Sequence, residues 1–292
     1  MTQEKDTKQV KRQFESDENL RIRYETHARY SMPRRDTIAW SVNSLDWRGD
    51  ERVLDVGCGP GIYYERLMEN HPGVQYTGMD LMTGMMQNHP ADASNLLRAN
   101  VLKLPFADGS FDVLMANDML YHVVEVEQAI QELKRVIKPE GTLMVTTNSI
   151  NTMPEMQVLM RRAIVLLTRH GAAGVRAPAM PSDNFALENG TRILSRYFYA
   201  VVRHDLPGSL VFPDVDPAIH YLESFRNLRE TQLPDDVVWE DVMMIMRQQI
   251  NQLIKHLGEL VINRQTGVLL ASNKGGFIRT FTELQDSEQQ KS

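Results

Sequence analysis

The sequence predicts an α/β fold in which a doubly wound, mostly parallel sheet is covered by helices on both faces. Three observations carry this prediction: short apolar strands alternate with amphipathic helices, a glycine-rich turn follows the first of these strands, and a carboxylate ends the second. Helices that alternate with strands supply the crossovers that a parallel order requires. We also predict N-terminal helices before this core and a helical insertion between its last strands.

The charge balance indicates which kinds of partner the protein can bind, and the cysteine content indicates its cellular compartment. The chain has 292 residues, with 32 basic and 38 acidic side chains and a formal net charge of −6. An acidic balance disfavours a general electrostatic contact with nucleic acid or anionic lipid, so we expect no nucleic-acid partner. No apolar run is long enough to cross a bilayer, residues 1–20 lack the apolar stretch of a secretory signal, and the single Cys58 cannot form a disulfide within the chain. We therefore predict a cytoplasmic protein without a membrane span.

The first half of the chain is predicted to alternate between strands and helices. Apolar residues recur at helical spacing from Val126 to Ile137, and Pro139 with Gly141 ends that helix. Apolar and β-branched runs on either side of it indicate buried strands. The predicted strands are 52–56, 74–79, 111–116 and 142–147.

The second half is predicted to be mainly helical. Apolar stripes indicate one helix at 156–167 and a longer helix at 238–257. Pro234 suits the first turn of the longer helix, and Gly258 suits its C-terminal cap. A segment rich in Gly, Ala and Pro predicts a loop at 171–182. Two further strands are predicted, at 198–202 and 267–272.

The most specific segment is the run Val-Leu-Asp-Val-Gly-Cys-Gly-Pro-Gly at 53–61. A buried strand is followed by a turn whose backbone conformation favours glycine, and a helix is expected to begin directly after that turn. Gly57 and Gly59 have no Cβ, so a ligand can lie against the backbone. The first turn of the helix offers N–H groups that have no partner within the helix. The segment therefore predicts a ligand site.

The ligand predicted from these residues is a nucleoside without a polyphosphate. A dinucleotide fingerprint requires a third glycine where this chain has Ile62, and Pro60 interrupts it. The Lys-Ser/Thr pair of a P-loop is absent from the segment. Asp80, at the end of the next predicted strand and 21 residues after Gly59, occupies the position that faces a ribose in doubly wound sheets. A carboxylate there can accept from both ribose hydroxyls.

At this point the sequence resembles the class I S-adenosylmethionine-dependent methyltransferases. It is most similar to the branch that contains the ubiquinone/menaquinone-type small-molecule enzymes. The resemblance implies the family's seven-stranded Rossmann-like fold, S-adenosyl-L-methionine as cofactor and S-adenosyl-L-homocysteine as product. It spans about residues 50–150 and depends on motifs in the family's order at 53–61, 78–80 (Gly-Met-Asp), 104–106 (Leu-Pro-Phe), 110–113 (Ser-Phe-Asp-Val) and 133–141 (Leu-Lys-Arg-Val-Ile-Lys-Pro-Glu-Gly).

The resemblance implies a set of cofactor contacts. The glycine turn would lie against the methionine portion, Asp80 would hold the ribose hydroxyls, and Leu81 would pack beside the adenine. The family usually has an aspartate where this chain has Asn100, and an amide oxygen can also accept from the adenine amine. Arg29 would meet the cofactor's carboxylate. The complete predicted set is Gly57, Cys58, Gly59, Asp80, Leu81, Asn100, Val101, Asn117 and Arg29.

No residue is singled out by the sequence as a general base. The candidates are His122, Tyr121 and His27, with His220 a further histidine to consider. Local packing or a cofactor contact is the simpler explanation for His122 and Tyr121, and an exposed helix face explains His27 as well as a substrate contact does. We predict in-line methyl transfer to a small, largely apolar acceptor, in which positioning dominates and no metal takes part.

The resemblance also implies the domain organisation and leaves alternatives open. An N-terminal cover and an insertion would form a substrate lid over the cofactor-binding core. An RNA or protein methyltransferase and a non-catalytic cofactor-binding scaffold stay open as alternative functions, and the oligomeric state is not predicted. The predicted segments are a polar tail at 1–20, a single domain at 21–284 (cover 21–47, core 48–150, lid 151–262, last strand region 263–284) and a polar tail at 285–292.

Overall fold

The computed structural model describes residues 13–169, 173–279 and 281–283. Contacts along the chain divide it into two compact units. The unit that we call the helical unit comprises Met1–Arg35, Asn151–Pro181 and Pro207–Gln265; the other, the sheet unit, comprises Asp36–Ile150, Ser182–Leu206 and Thr266–Ser292. Most of the predicted polar tails, residues 1–12 and 285–292, lies outside the described residues, as do 171 and 172 of the predicted loop.

Helices and strands alternate along the chain as the sequence predicts. The helices are α1 (Glu18–Tyr30), α2 (Thr37–Val42), α3 (Ile62–Asn70), α4 (Val126–Val136), α5 (Pro154–Leu167), α6 (Leu187–Leu194), α7 (Val215–Glu223), α8 (Arg226–Arg229) and α9 (Trp239–Leu257). The strands are β1 (Ser31–Met32), β2 (Arg52–Val56), β3 (Gln75–Asp80), β4 (Leu96–Arg98), β5 (Phe111–Met115), β6 (Ile137–Asn148), β7 (Ala200–Phe212) and β8 (Leu260–Ser272).

The strand order is β1-β7-β8-β6-β5-β2-β3-β4. All pairings among β2 to β6 are parallel, whereas β8 runs antiparallel to β6 and β1 runs antiparallel to β7. The predicted α/β fold with a doubly wound, mostly parallel sheet is confirmed. The sheet has eight strands among the described residues rather than seven, because the two-residue β1 is too short to leave a periodic signal in the sequence.

Three predicted boundaries need correction. The predicted strand at 198–202 is the start of the thirteen-residue β7, which is a member of the main sheet. Pro139 and Gly141 lie within β6, which starts directly after α4. Pro234 precedes α9 by several residues, and its carbonyl accepts from the Val237 N–H at 2.9 Å in a turn before the helix. The C-terminal cap of α9 is Gly258, as predicted, at φ +89°.

Both faces of the sheet unit are buried, which explains the near-continuous apolar runs of its strands. Leu54 of β2 belongs to the apolar cluster that contains Leu133 of α4. The neighbouring Val53 belongs to a second cluster with Leu67 of α3. Successive side chains of a strand point to opposite faces, so this division shows helices covering both faces.

The helical unit has a separate apolar core. Trp239 and Met246 of α9, Met160 of α5 and Tyr221 of α7 are almost fully buried in it. Methionine side chains fill much of this interior, which suits their flexibility. Within the part of the chain that the structure describes, no helix is both long enough and apolar enough to cross a membrane.

Candidate cofactor site

The glycine turn lies between β2 and α3. Gly57, Gly59 and Gly61 all have positive φ angles, of +72°, +53° and +84°. The N–H groups of Gly57 and Cys58 both donate to the Met79 carbonyl, at 2.7 and 3.0 Å, and attach the turn to β3. Helix α3 starts at Ile62, directly after the turn. The predicted strand, turn and helix are therefore confirmed.

Steric crowding also requires glycine at two of these three positions. A Cβ on Gly57 would lie 3.0 Å from the Cβ of Met119, and a Cβ on Gly61 would lie 2.7 Å from the Cδ of Pro90. A side chain at either position would combine a strained backbone with a steric contact. The contact with Met119 also shows that the loop after β5 packs on the turn.

Asp80 lies beside the turn, at the end of β3. Its Oδ2 accepts from the Gly59 N–H at 3.1 Å, and its Oδ1 accepts from the Met82 N–H at 2.8 Å. Burial raises the pKa of Asp80, and the N–H groups of Met82 and Gly59 oppose that rise. Each carboxylate oxygen has a further lone pair, so both can still accept from a hydroxyl group. This fixed carboxylate suits a ribose.

The loop after β5 contributes a buried amide. Asn117 is 7% exposed, and its Oδ1 accepts from the Thr146 N–H at 3.2 Å. Among the described residues its Nδ2 has no hydrogen-bond partner. A buried donor without an acceptor costs about 1–3 kcal/mol. A ligand that supplies an acceptor to Asn117 would remove this cost.

Asp118, next to Asn117, has a strained backbone that the sequence did not reveal. Its φ of +52° is in the left-handed region, which residues with a side chain rarely adopt. Its N–H donates to the Thr146 carbonyl at 3.0 Å, and its Oδ2 accepts from the Tyr63 hydroxyl at 3.4 Å. Tyr63 also lies 3.1 Å from the Thr146 hydroxyl. Strained backbone often marks functional sites, but no sequence pattern identifies it when the residue is not glycine.

A buried chain of hydrogen bonds supports the strands beneath the turn and was also missed. The Ala91 N–H donates to Nδ1 of His89 at 3.0 Å, so Nε2 carries the proton and faces the Tyr76 hydroxyl at 3.1 Å. Tyr76 in turn donates to Oδ2 of Asp55 at 3.0 Å. Burial raises the pKa of Asp55 to about 7 and lowers the pKa of His89 to about 4. The sequence signal was only an acid two residues before Gly57.

The other predicted cofactor residues of the sheet unit differ in how exposed they are and in their hydrogen bonds. Leu81 is 37% exposed next to Asp80, which leaves an apolar side chain available to a ligand. Oδ1 of Asn100 accepts from the Leu102 N–H at 3.0 Å, so one of its lone pairs is used within its own turn. Val101 is buried in the core. Cys58 is buried, and burial raises the pKa of its thiol, which makes it a poor nucleophile.

Tyr121 and His122 follow the same loop in a short 3-10 helix, Leu120–His122. Their rings meet edge to face, with centroids 4.5 Å apart, and both residues are partly buried. They belong to the same unit as the glycine turn and Asp80. Their predicted catalytic roles stay predictions.

Arg29 and His27 are on α1, in the helical unit. The exposed Arg29 guanidinium lies 5.4 Å from the centre of the Tyr30 ring and lines an open cleft of about 760 Å³ together with the exposed His220. Its contact with a cofactor stays a prediction. His27 accepts from Arg264 at Nδ1, and burial with the nearby Arg264 and Arg23 lowers its pKa to about 3. Such a histidine is a poor general base, so we do not propose it as one.

Comparison with known proteins identifies the domain that contains the turn. Residues 54–145 match the model of a family described as a methyltransferase domain. A malonyl-[acyl-carrier protein] O-methyltransferase of Legionella pneumophila is 35% identical over 111 residues, which cover 36% of this chain and 39% of that protein. The ubiquinone/menaquinone biosynthesis C-methyltransferase UbiE of Paracoccus denitrificans is 30% identical over 134 residues, 42% of this chain and 54% of that protein.

The matched regions thus span between 39% and 54% of the length of these two relatives. Among solved structures, the YcgJ protein of Bacillus subtilis has the same fold, with a TM-score of 0.52 at 16% identity over 82% of this chain and 99% of that chain. The site fits the expected cofactor, because Asp80 can take a ribose, Asn117 offers a buried donor and the glycines leave room beside the backbone. Residues 54–145 are therefore similar to a methyltransferase domain.

Proposed function

We propose that the chain is an S-adenosylmethionine-dependent methyltransferase that transfers a methyl group to a small, largely apolar acceptor by in-line displacement. The observation that carries this proposal is the Asp80 carboxylate, which Gly59 and Met82 hold beside a turn of three glycines with positive φ. This arrangement would bind the ribose of a nucleoside. The turn has no phosphate-binding lysine, so a polyphosphate is not expected on that nucleoside. The match to a methyltransferase domain supports the proposal.

The residues of the sheet unit divide the binding between them. Asp80 would accept from the ribose hydroxyls, Leu81 would pack on the adenine, and Asn117 would donate its Nδ2–H to the methionine portion. Gly57 would let that portion lie against the backbone. Hydrogen bonds to a charged partner are each worth about 1.5–3 kcal/mol, so Asp80 should contribute strongly to affinity.

The bound cofactor supplies a methyl group on a sulfonium, which is the reactive centre. The chain's own residues then have to align the acceptor and exclude water. Alignment lowers the barrier by roughly 7–11 kcal/mol in the best intramolecular models. We propose that Tyr121 and His122, which follow the loop of Asn117, act on the acceptor side of the sheet unit.

The names of the relatives support methyl transfer but do not identify the atom that is methylated. One of them is named as an O-methyltransferase and the other as a C-methyltransferase. Neither name refers to a nucleic acid. For this chain we propose a small acceptor without assigning the atom.

Calorimetric titration with S-adenosylhomocysteine tests the proposal. We expect the Asp80→Ala variant to bind about 10- to 100-fold more weakly than the wild type, because two fixed acceptors for the ribose are lost. Asp108→Ala is the matched control, since the Asp108 side chain is 80% exposed in the same unit, and its dissociation constant should match the wild type. An unchanged dissociation constant for Asp80→Ala, or no binding by the wild type, would contradict the proposal.

A further inference from the structure

Helix α5 of the helical unit presents basic and apolar side chains together on its exposed side, and the proposed methyl transfer uses none of them. Its opposite side, which includes Met160 and Ala163, is buried in the core of that unit. The exposed residues recur at spacings of three and four, so they lie on one side of the helix. The α5 outer face, as we call it, consists of Val158, Arg161, Arg162, Val165 and Leu166.

Two aliphatic side chains of this face are open to solvent. Val158 is 66% exposed and Leu166 is 63% exposed. They are eight residues apart, which places them about 12 Å apart along the helix axis. A single exposed aliphatic side chain is common, but these two lie on either side of the exposed Arg161 and Arg162. The face therefore combines apolar surface with positive charge.

The arginines of the α5 outer face have no anionic partner. Within the ranges that the structure describes, neither Arg161 nor Arg162 makes an ion pair. The Nε of Arg161 donates to the Val175 carbonyl at 2.9 Å, and that acceptor is neutral. The exposed Arg169 follows the end of α5, and the exposed Arg176 follows Val175. Two further positive charges therefore lie close to the face.

The acids closest to this face along the chain are held by other groups. Glu155, the one acid of α5, accepts from the N–H of Asn263 at 3.0 Å and from its Nδ2 at 2.5 Å. Asp236 accepts from the Arg169 N–H at 2.8 Å and from the Thr168 hydroxyl at 3.3 Å. The chain as a whole has a net charge of −6, but charges more than about 8 Å apart are largely screened. The local charge of the face is therefore positive.

Helix α9 has a different exposed side. Its exposed charges are Glu240 and Asp241 in the first turn, Arg247 in the middle and Lys255 in the last turn. Arg247 forms an ion pair with Asp216. Charges of both signs are typical of a helix side that faces water. The α5 outer face has no exposed acid, and its mixture of arginine and aliphatic residues is typical of helices that lie on an anionic surface.

We infer that the α5 outer face binds the surface of a bilayer that contains anionic lipids. The guanidinium groups of Arg161 and Arg162 pair with lipid phosphates. Val158 and Leu166 enter the boundary between head groups and acyl chains. The helix lies on the bilayer and does not cross it. The face belongs to the helical unit alone, and this binding does not depend on methyl transfer.

A protein partner fits this face less well than a bilayer does. Helix α5 has 14 residues, so its exposed side is about 21 Å long and about 10 Å wide, or about 200 Å². Stable protein interfaces bury about 800 Å² on each partner. Their centres are enriched in aromatic side chains, and the α5 outer face has none. A fluid bilayer needs no matching shape, so a narrow basic and apolar strip is sufficient.

Co-sedimentation of the full chain with sucrose-loaded vesicles tests the inference. One set of vesicles is phosphatidylcholine alone, and in the other set about one third of the lipid is phosphatidylglycerol. At about 0.1 M salt we expect at least about tenfold stronger binding to the phosphatidylglycerol vesicles, and at about 1 M salt, where the Debye length is about 3 Å, most of this difference should be lost. Equal binding to both sets, or no binding to the phosphatidylglycerol vesicles, would overturn the inference.

Charge variants test whether this face is responsible. We expect Arg161→Gln/Arg162→Gln to bind the phosphatidylglycerol vesicles about tenfold or more weakly than the wild type, because each arginine at an anionic surface contributes about fivefold. The control Lys274→Gln/Arg279→Gln removes the same charge at two exposed positions of the sheet unit and should bind like the wild type. Equal losses in the two double variants would make net charge the cause and overturn the inference.

Two further variants separate charge, structure and apolar contact. Arg161→Lys/Arg162→Lys keeps both charges but loses the hydrogen bond to Val175, and it should bind nearly like the wild type. A loss as large as that of the glutamine variant would assign the effect to structure and overturn the inference. Val158→Ser/Leu166→Ser keeps every charge and should bind about tenfold more weakly. Unchanged binding would contradict the insertion of these two side chains.

Other occupants of the face give different results. Binding of poly-L-glutamate without binding of phosphatidylglycerol vesicles would indicate an acidic protein partner and overturn the inference. A dimer in sedimentation equilibrium that Val158→Ser/Leu166→Ser abolishes, without vesicle binding, would indicate a second copy of the chain and do the same. Arg161→Gln/Arg162→Gln is expected to bind S-adenosylhomocysteine like the wild type. A wild type that binds S-adenosylhomocysteine but no vesicles would remove the lipid surface and leave the proposed function standing.

Discussion

The two units of the molecule build polar sites in opposite ways. In the sheet unit, Gly57, Gly59 and Asp80 lie close together in the sequence, at the ends of two adjacent parallel strands. In the helical unit, Tyr221 and Arg264 meet His27 across 194 and 237 residues of chain. A site made by neighbouring strands leaves a motif with a fixed spacing, whereas a site made by distant segments leaves none.

The two sites also differ in the sign of their charge. Asp55 is buried below the glycine turn and Asp80 is partly buried beside it, and desolvation raises the pKa of both carboxyl groups. The histidine of the helical unit is instead surrounded by arginines, and its pKa is lowered. The contribution of Asp55 to stability is therefore lost as the pH rises, whereas the contribution of His27 is lost as the pH falls.

The largest expected effect is steric and concerns the glycine turn. We expect Gly61→Ala to lower the free energy of unfolding by about 4 kcal/mol, because a left-handed backbone and a contact of 2.7 Å with the Pro90 ring both oppose a Cβ. Urea denaturation measures the change. Gly49→Ala is the control, since Gly49 has φ +94° and nothing within 4 Å of a Cβ, and it should lose only about 1–2 kcal/mol. Equal losses of unfolding free energy in Gly61→Ala and Gly49→Ala would show that steric contact with Pro90 does not contribute to the effect.

The second largest expected effect concerns Asp55, a buried acid of the sheet unit. The pKa of Asp55 is raised from 3.8 to about 7, so between those values the unfolded chain loses a proton that the folded chain keeps. The stability that protonated Asp55 contributes is full below pH 4 and is lost as the pH rises to 7. From pH 4 to pH 7 we expect wild-type stability to fall by about 2–4 kcal/mol more than that of Asp55→Asn.

Urea denaturation at several pH values measures this difference. His89 titrates in both proteins, so its contribution cancels in the comparison. Asp50→Asn, at a carboxylate that is 80% exposed, controls for the substitution itself and should follow the wild-type curve. Parallel curves for the wild type and Asp55→Asn would mean that Asp55 ionises as freely in the folded chain as in the unfolded one.

The smallest effect has the opposite sign and concerns the helical unit. The pKa of His27 is lowered from 6.5 to about 3, so on acidification the unfolded chain takes up a proton that the folded chain refuses. The stability contributed by neutral His27 is full above pH 6.5 and is lost as the pH falls towards 3. From pH 7 to pH 5 we expect the wild type to lose about 1–2 kcal/mol more than His27→Gln. His256→Gln, at an exposed position of α9, is the control, and a wild-type curve parallel to that of His27→Gln would contradict the assignment.

Secondary structure was predictable where the pattern is local. Strand β2 has the predicted bounds, Arg52–Val56, and the helices at 156–167 and 238–257 are α5 and α9 with small shifts at their ends. The prediction missed the first half of β8, because Asn263 and Arg264 interrupt the apolar run that indicated a strand at 267–272. Hydrogen bonds in a strand belong to the backbone, and polar side chains are tolerated wherever one face is not buried.

The sequence by itself determined the parallel sheet, the glycine turn and the position of Asp80, because each depends on residues that are near neighbours in the chain or on adjacent strands. Only the tertiary structure decided the left-handed backbone of Asp118, the chain of hydrogen bonds from His89 to Asp55 and the arginines next to His27. Their partners are brought together by packing of distant segments, and the protonation state of a buried group follows from the charges and the burial that packing creates. Neither the choice of these partners nor the protonation state of a buried group can be read from the spacing of residues along the chain.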